Sequence, residues 1–345
     1  MFLETMTSGL SRRRAIGGML GAGALGGAMA TGMVPTVAAA ETGSRRPLDL
    51  GDPREHLYAF AKMWGTIGER PVISAYQGVQ YAVIGRNRAV PVFGLVGFGN
   101  IRNAIQPDGS VRVMGRECAF FTDLETGRII DHWDNPWTGE RVQVYDFINN
   151  DFRGTLGLTR KVFEVNGSKT VNNDGMGQKK AAQGDEPFTL PWQKIGDQYL
   201  VGWDYSHEYV NPVTPEGWPK ASSGVRVNPS EHFVLFTPVA EIEDRSVVSA
   251  RYTGGFMRQS PWWPWMRMGQ SDVRDGILTG RMHTYKITGT IEDIPPVVLD
   301  RVRVDHPELL EDPVDGPDMG VVDTFGRYAR DVPPEVASYV KPAPK

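Results

Sequence analysis

A chain of 345 residues, 40% hydrophobic and 23% charged, can bury an ordinary globular core. Its formal charge of −4 and its scattered basic residues exclude the concentrated Lys/Arg surface that displaces counterions from nucleic acid. The single cysteine, Cys118, excludes an intramolecular disulfide framework and a zinc site built on several thiolates. Its β-patterned surroundings read as those of a buried structural thiol.

The N-terminus carries the most specific signal. Ser11-Arg12-Arg13-Arg14 precedes a weakly hydrophobic Ala/Gly-rich run over residues 15–34 and the small-residue pattern Ala38-Ala39-Ala40. This resembles a twin-arginine export signal, which implies the twin-arginine export machinery as a partner, cleavage after Ala40 and a periplasmic location. Removing residues 1–40 takes away three Arg and one Glu, so −4 becomes −6. No later stretch approaches the ~18 consecutive apolar residues of a membrane helix, so no stable span is expected after cleavage.

Residues 41–51 read as a linker. Asp52-Pro53-Arg54-Glu55 then opens a helix with an N-cap, a proline at the first helical position and a capping-box glutamate. Leu57, Phe60, Ala61 and Trp64 form one apolar stripe, and Gly65 and Gly68 end it. Strands are expected over 72–83, 90–99 and 111–114.

Residues 117–145 predict a β-meander of strands 118–121, 128–133 and 141–144, with Gly127 and Gly139 supplying positive φ in its turns. Its middle strand puts Ile130, His132 and Asp134 on one face and Ile129, Asp131 and Trp133 on the other, polar groups on both sides. Loop-like stretches at 149–159 and 167–191 flank a short strand at 161–165, and the second is either a lid or a surface insertion.

Residues 198–208 alternate so that Tyr199, Val201, Trp203, Tyr205 and His207 share one aromatic face turned to an interior. Further strands follow over 232–236, 247–258 and 278–289. The loop between the last two, 261–269, holds Trp262, Trp263 and Trp265. A short helix begun by proline is expected over 297–304.

The frequent strands and single strong helix predict a mainly β fold: an antiparallel β-barrel or strongly curved sheet, calycin-like, with one N-terminal amphipathic helix. Residues 52–294 would form this domain and 295–345 an irregular tail wrapping it.

The Glu-Thr-Gly turn, Asp131-x-Trp133-x-Asn135-Pro136-x-Thr138-Gly139-Glu140 and the late Gly280…Lys286-Ile287-x-Gly289 resemble a family of exported bacterial proteins grouped as a domain of unknown function. The resemblance runs from about Asp52 to Pro313 and implies no particular activity. The architecture is also similar to lipocalin-type calycin barrels, a likeness that implies binding of a hydrophobic small molecule.

Nucleotide and hydrolase motifs are missing: Gly94-x-x-Gly97-x-Gly99 lacks the order of a dinucleotide fingerprint, and neither Gly-x-Ser-x-Gly nor His-Glu-x-x-His occurs. The pairs His132/Asp134, His207/Glu208 and Glu231/His232, and His283, lack a diagnostic metal spacing, so neither a metal nor a cofactor is expected.

What remains is a set of polar side chains among aromatics. The expected function is a cofactor-independent proton transfer (lyase, hydratase or isomerase) on a hydrophobic aromatic or terpenoid/steroid-like molecule. His132 or His283 would be the base, Tyr285 or Asp134 the acid, and Arg267 would stabilise negative charge. Trp137, Trp203, Tyr205, His207, Trp262, Trp263 and Trp265 would line the ligand, with the tryptophan loop as ligand wall, as plug closing one barrel end, or in contact with a membrane interface. The alternatives are a periplasmic carrier without catalysis and an envelope structural or membrane-surface protein.

Overall fold

The computed structural model describes residues 45–165, 168–172, 184–206, 208–317 and 324–339, with backbone alone at 162–165, 168–172 and 205. The strands are β1 (Val72–Val83), β2 (Val90–Ile105), β3 (Val111–Thr122), β4 (His132–Asp134), β5 (Arg141–Gln143), β6 (Phe147–Leu156), β7 (Thr159–Val165) and β8 (Ser168–Asn172). They continue as β9 (Gly184–Pro187), β10 (Gln193–Ile195), β11 (Gln198–Ser206), β12 (Tyr209–Val210), β13 (Arg226–Val227), β14 (Ser230–Pro238), β15 (Thr253–Pro261) and β16 (Ile277–Lys286). The helices are α1 (Pro53–Trp64), α2 (Val239–Glu243), α3 (Pro296–Asp305) and α4 (Thr324–Asp331). Among the described residues no helix is long and apolar enough to cross a membrane.

Nine strands form one antiparallel sheet in the order β10-β11-β14-β15-β16-β1-β2-β3-β6. The sheet is strongly curved. Strands β2 and β11 stand five places apart, about 24 Å on a flat sheet. Yet within one turn of α1, Asn103 of β2 donates to the Ala61 carbonyl at 2.8 Å and Trp64 packs on Trp203 of β11 at 5.4 Å between ring centroids. The sheet therefore curls around the helix. It stays open, because the end strands β6 and β10 do not pair with each other, so the closed-barrel alternative is corrected to a curled sheet.

Cross-strand register sorts the two faces. Tyr76 pairs with Thr284 and Gly97, and Ala119 with Gly97 and Phe147, so these residues share the concave face. Two stoppers fill the ends of the resulting hollow. At one end α1 buries Leu57 and Ala61 against Val111, Tyr199, Val201 and Leu235. Asp52 caps it as expected, accepting from the Arg54 amide at 2.9 Å. Glu55 takes no capping-box role; it pairs with Arg46 and Arg245.

The last turn of α1 is closed from the sheet. The buried Lys286 ammonium donates to the carbonyls of Lys62 (3.1 Å), Gly65 (2.6 Å) and Ala250 (2.7 Å) and to Ser249 Oγ (3.1 Å). Burial holds the Lys286 amine well below the usual lysine range, with the nearby Lys62 acting in the same direction.

At the other end sit Trp262, Trp263 and Trp265, all buried with Phe93, Leu95, Phe121 and Leu278. Their rings close this end of the sheet. The motif in residues 131–140 holds that cluster in place. Its middle strand is shorter than expected: a bridge between Thr122 and Ile129 and the hairpin β4–β5 replace a continuous strand over 128–133. Gly127 and Gly139 take the expected positive φ, 68° and 72°.

Asn135 accepts from the Trp137 and Thr138 amides at 2.9 and 3.3 Å and donates to the Met266 carbonyl at 2.6 Å. Glu140 binds Arg267 at 2.8 Å and Lys220 at 2.6 Å. We expect Asn135→Ala to lower stability by about 2–3 kcal/mol, read as an earlier urea midpoint, because turn amides and a buried carbonyl lose their partner together.

The convex face of β2 and β3 is covered by the chain after Pro295. Val298, Leu299 and Val302 of α3 pack on Val96, Phe98, Cys118 and Phe120. Cys118 is a buried thiol whose pKa burial pushes up. The helix expected over 297–304 thus forms, and a further helix, α4, stands within the segment expected as an irregular tail and delivers Phe325 and Tyr328 to the tryptophan cluster.

Candidate functional site

Between the two stoppers the concave face carries a middle layer that combines charge with aromatic surface. Glu117 comes from β3, Asn149 from β6, Tyr76 from β1, Arg258 from β15 and Glu231 from β14. Phe256, Phe233 and Trp203 stack beside them, with ring centroids 5.1 Å apart for Phe233–Phe256 and 4.5 Å for Trp203–Phe233. The adjacent Phe147, Phe152 and Met282 share the same face.

Glycines opposite the larger side chains make this arrangement possible. A Cβ on Gly97, the cross-strand partner of Tyr76, would stand 2.8 Å from the Tyr76 ring. The phenol therefore lies flat across β2 and donates to the Cys118 carbonyl on β3 at 2.8 Å, next to Glu117. Phe152 lies over Gly115 in the same way, so that a Cβ on this glycine would stand 2.2 Å from the ring.

Glu117 accepts from Asn149 Nδ2 at 3.3 Å. It is ringed by protein yet keeps part of its surface accessible, as a group on the floor of a recess does. Burial pushes its carboxyl up to about 7, the Asn149 hydrogen bond opposes this, and the Glu231 charge adds to it. Arg258 pairs with Glu231 at 2.9 Å. The charges of Glu117, Glu231 and Arg258 all act on the Tyr76 phenol, which burial holds well above its ordinary value. A carboxyl that is half ionised near neutral pH, a neutral phenol and an ion pair thus meet inside an aromatic hollow. A carboxyl whose pKa is raised by burial beside a phenol is chemistry suited to proton transfer.

The residues proposed from sequence lie mostly elsewhere. His132 and Asp134 are exposed on the β4–β5 hairpin, with Asp134 bonded to Arg141 at 3.0 Å. His283 and Tyr285 stand on the convex face, because Tyr76 pairs with Thr284 and so Met282 and Thr284 point inward. His283 is exposed and meets Thr253 Oγ1 at 2.8 Å. Arg267, at φ 55°, is held by Glu140 and Glu335 at 2.8 and 2.9 Å and serves the tryptophan loop.

Trp137 packs on Trp133 and Trp262 outside the hollow. Trp203 turns to the concave face, where it packs on Phe60, Trp64 and Phe233, and the backbone of Tyr205 continues that face opposite Glu231. The side chain of Tyr205 and the whole of His207 lie outside the described residues, as do Gly167 and residues 173–183 of the expected lid or insertion. Glu117, Tyr76 and Arg258 belong to no motif in the sequence. The available signal was one acidic residue opening the apolar run Cys118-Ala119-Phe120-Phe121.

Two cavities open at the surface, and neither is lined by Glu117, Tyr76 or Arg258. The larger, about 660 Å³, is lined by Arg70, Asn100, Arg251, Lys286, Thr288 and Asp312 among others, but its lysine already serves four oxygens. The smaller, about 450 Å³, lies at Arg160, Leu190, Trp203 and Phe233. Among the described residues no group of three or more His, Cys, Asp or Glu side chains could hold a metal ion.

Fold and site define a mainly β protein whose curled sheet encloses an ionisable cluster between two stoppers. Residues 69–328 match the family described as "Protein of unknown function (DUF1838)", and the chain belongs to that family. A comparison with curated proteins finds no match.

Among solved structures, the chain is weakly similar to MucB in complex with MucA(peri), at 11% identity over 71% of this chain and 97% of that one with a TM-score of 0.12. The Pseudomonas aeruginosa MucA/MucB complex gives 12% identity over 78% and 100% with a TM-score of 0.11. Scores this low carry no argument about fold or partner.

Proposed function

We propose that this is an exported, periplasmic protein that binds a hydrophobic aromatic or terpenoid/steroid-like molecule in the hollow and moves a proton on it without a cofactor. The twin-arginine pattern at the N-terminus supports the location. One observation carries the chemistry: Glu117, with its carboxyl near 7, sits among Tyr76, Arg258 and Glu231 inside aromatic walls. An acid–base group works best when its pKa lies close to the operating pH, and burial in an apolar recess is how a carboxyl reaches that value. Glu117 takes the role first assigned to the histidines, and the Tyr76 hydroxyl, tied to the Cys118 carbonyl, fixes the wall beside it.

The test begins with a native mass spectrum of the mature protein, where a non-covalent adduct of about a few hundred daltons identifies the ligand class. Wild type then converts that ligand, while Glu117→Gln binds it with turnover reduced by about 10²–10⁴. Equal turnover by the two proteins overturns the assignment of Glu117. Tight binding with no product in wild type at any pH leaves a carrier.

A further inference from the structure

Two hydrogen-bond donors in the hollow have no partner among the described residues. Gln80 is 2% exposed and its Nε2 is unbonded, as is the buried Nε of Arg258. They are not scattered. Gln80 pairs across strands with Gly280, and Gly280 pairs with Arg258, so one glycine separates them on the concave face. A Cβ on Gly280 would stand 2.6 Å from Gln80 Nε2, so the Gln80 amide lies over that glycine, towards the strand that carries Arg258. Buried donors left unpaired are costly, and a ligand oxygen received between them removes the cost.

The charges decide which oxygen. Arg258 is already paired with Glu231, and Glu117 adds a second carboxyl to the same hollow. A carboxylate ligand would meet net negative charge, whereas a neutral carbonyl meets donors alone.

Resting on the hollow as the binding site, we propose that Gln80 Nε2 and Arg258 Nε receive the carbonyl oxygen of a neutral, apolar ketone-type substrate, and that Glu117 takes a proton from the carbon next to that carbonyl. The C–H bond breaks, its proton forms an O–H bond on the Glu117 carboxylate, and its electron pair forms the C=C bond of an enolate. The former carbonyl π pair moves onto oxygen, where the two donors stabilise it. Return of the proton from Glu117 to a conjugated carbon completes isomerisation with no other reactant, whereas in D₂O the Glu117 carboxyl first trades its proton for a solvent deuteron, whose delivery to the same carbon completes exchange.

The experiment uses the mature chain and two probes of similar shape, 2-acetylnaphthalene and 2-ethylnaphthalene. Equilibrium dialysis measures binding, and proton NMR in D₂O follows loss of the acetyl methyl signal. Wild type is expected to bind the ketone at least about ten-fold more tightly than the hydrocarbon and to accelerate exchange. Gln80→Leu, and Arg258→Lys, which keeps a cation beside Glu231 but lacks Nε, lose that preference and slow exchange while hydrocarbon affinity stays unchanged. Equal binding of the two probes by wild type overturns the oxygen site and leaves the apolar hollow standing. Preference retained in both variants overturns the choice of donors. No binding of either probe overturns the hollow reading as well.

Discussion

At pH 8, Glu117→Gln is expected to unfold at a higher urea concentration than wild type, by about 2–3 kcal/mol, and the gain vanishes as the pH falls to about 4.5. The sign follows from the direction of the shift. Burial raises the Glu117 carboxyl from its ordinary 4.5 to about 7 in the folded protein. A raised carboxyl favours folding only while it is protonated. Its contribution is fully present below 4.5 and lost as the pH climbs through 7, where the fold must hold a charge that the unfolded chain hydrates freely.

Glutamine keeps the shape, still accepts from Asn149, and carries no charge at any pH. Asp146 serves as a control for specificity. Burial also pushes its carboxyl up to about 7, opposed by the Arg301 charge. It lies under the covering segment, 3.5 Å from Arg301, so Asp146→Asn is expected to change the pH dependence of stability and leave turnover alone. Wild-type stability that does not depend on pH between 5 and 8 would refute both assignments.

The cost at Glu117 also bears on why the site escaped a reading of the sequence. Local chemistry was legible: Asp52 capped α1, Gly127 and Gly139 turned where expected, and the Trp203 face pointed inward. Each of these depends on neighbours a few residues away. The hollow does not. Tyr76 reaches the Cys118 carbonyl across 42 positions, and the Glu231–Arg258 pair meets Glu117 only because five strand steps are curled up.

Alternation assigns residues to two faces without saying which face is inside. On β16 both faces mix apolar and polar groups, Leu278-Met282-Thr284-Lys286 against Ile277-Arg281-His283-Tyr285, so the parity of His283 was undetermined until the register with Tyr76 fixed it. The motif at 131–140 was legible as a motif but not as a clamp, since its partner Met266 lies 131 residues away.

That clamp makes Trp265→Ala the most damaging single substitution expected here, a loss of about 3–5 kcal/mol and roughly 10 °C in Tm. Trp265 is 2% exposed and packs on Phe93, Phe121 and Trp133 at 5.6, 5.1 and 6.1 Å between ring centroids. Its neighbours are held from three directions: Asn135 on the Met266 carbonyl, Glu140 on Arg267, and Glu335 on Arg267. With that backbone pinned, the cluster cannot collapse into the vacated space, and cavities that cannot collapse cost the most.

The same substitution separates plug from ligand wall. Trp265→Phe keeps an aromatic ring in the stack and removes the indole N–H, which has no partner among the described residues. If the residue is a plug, Trp265→Phe recovers most of the lost stability, and the apolar ligand binds it as it binds wild type. A Trp265→Phe protein as stable as wild type but unable to hold the ligand would instead move the binding site from the middle layer to the tryptophan end of the hollow.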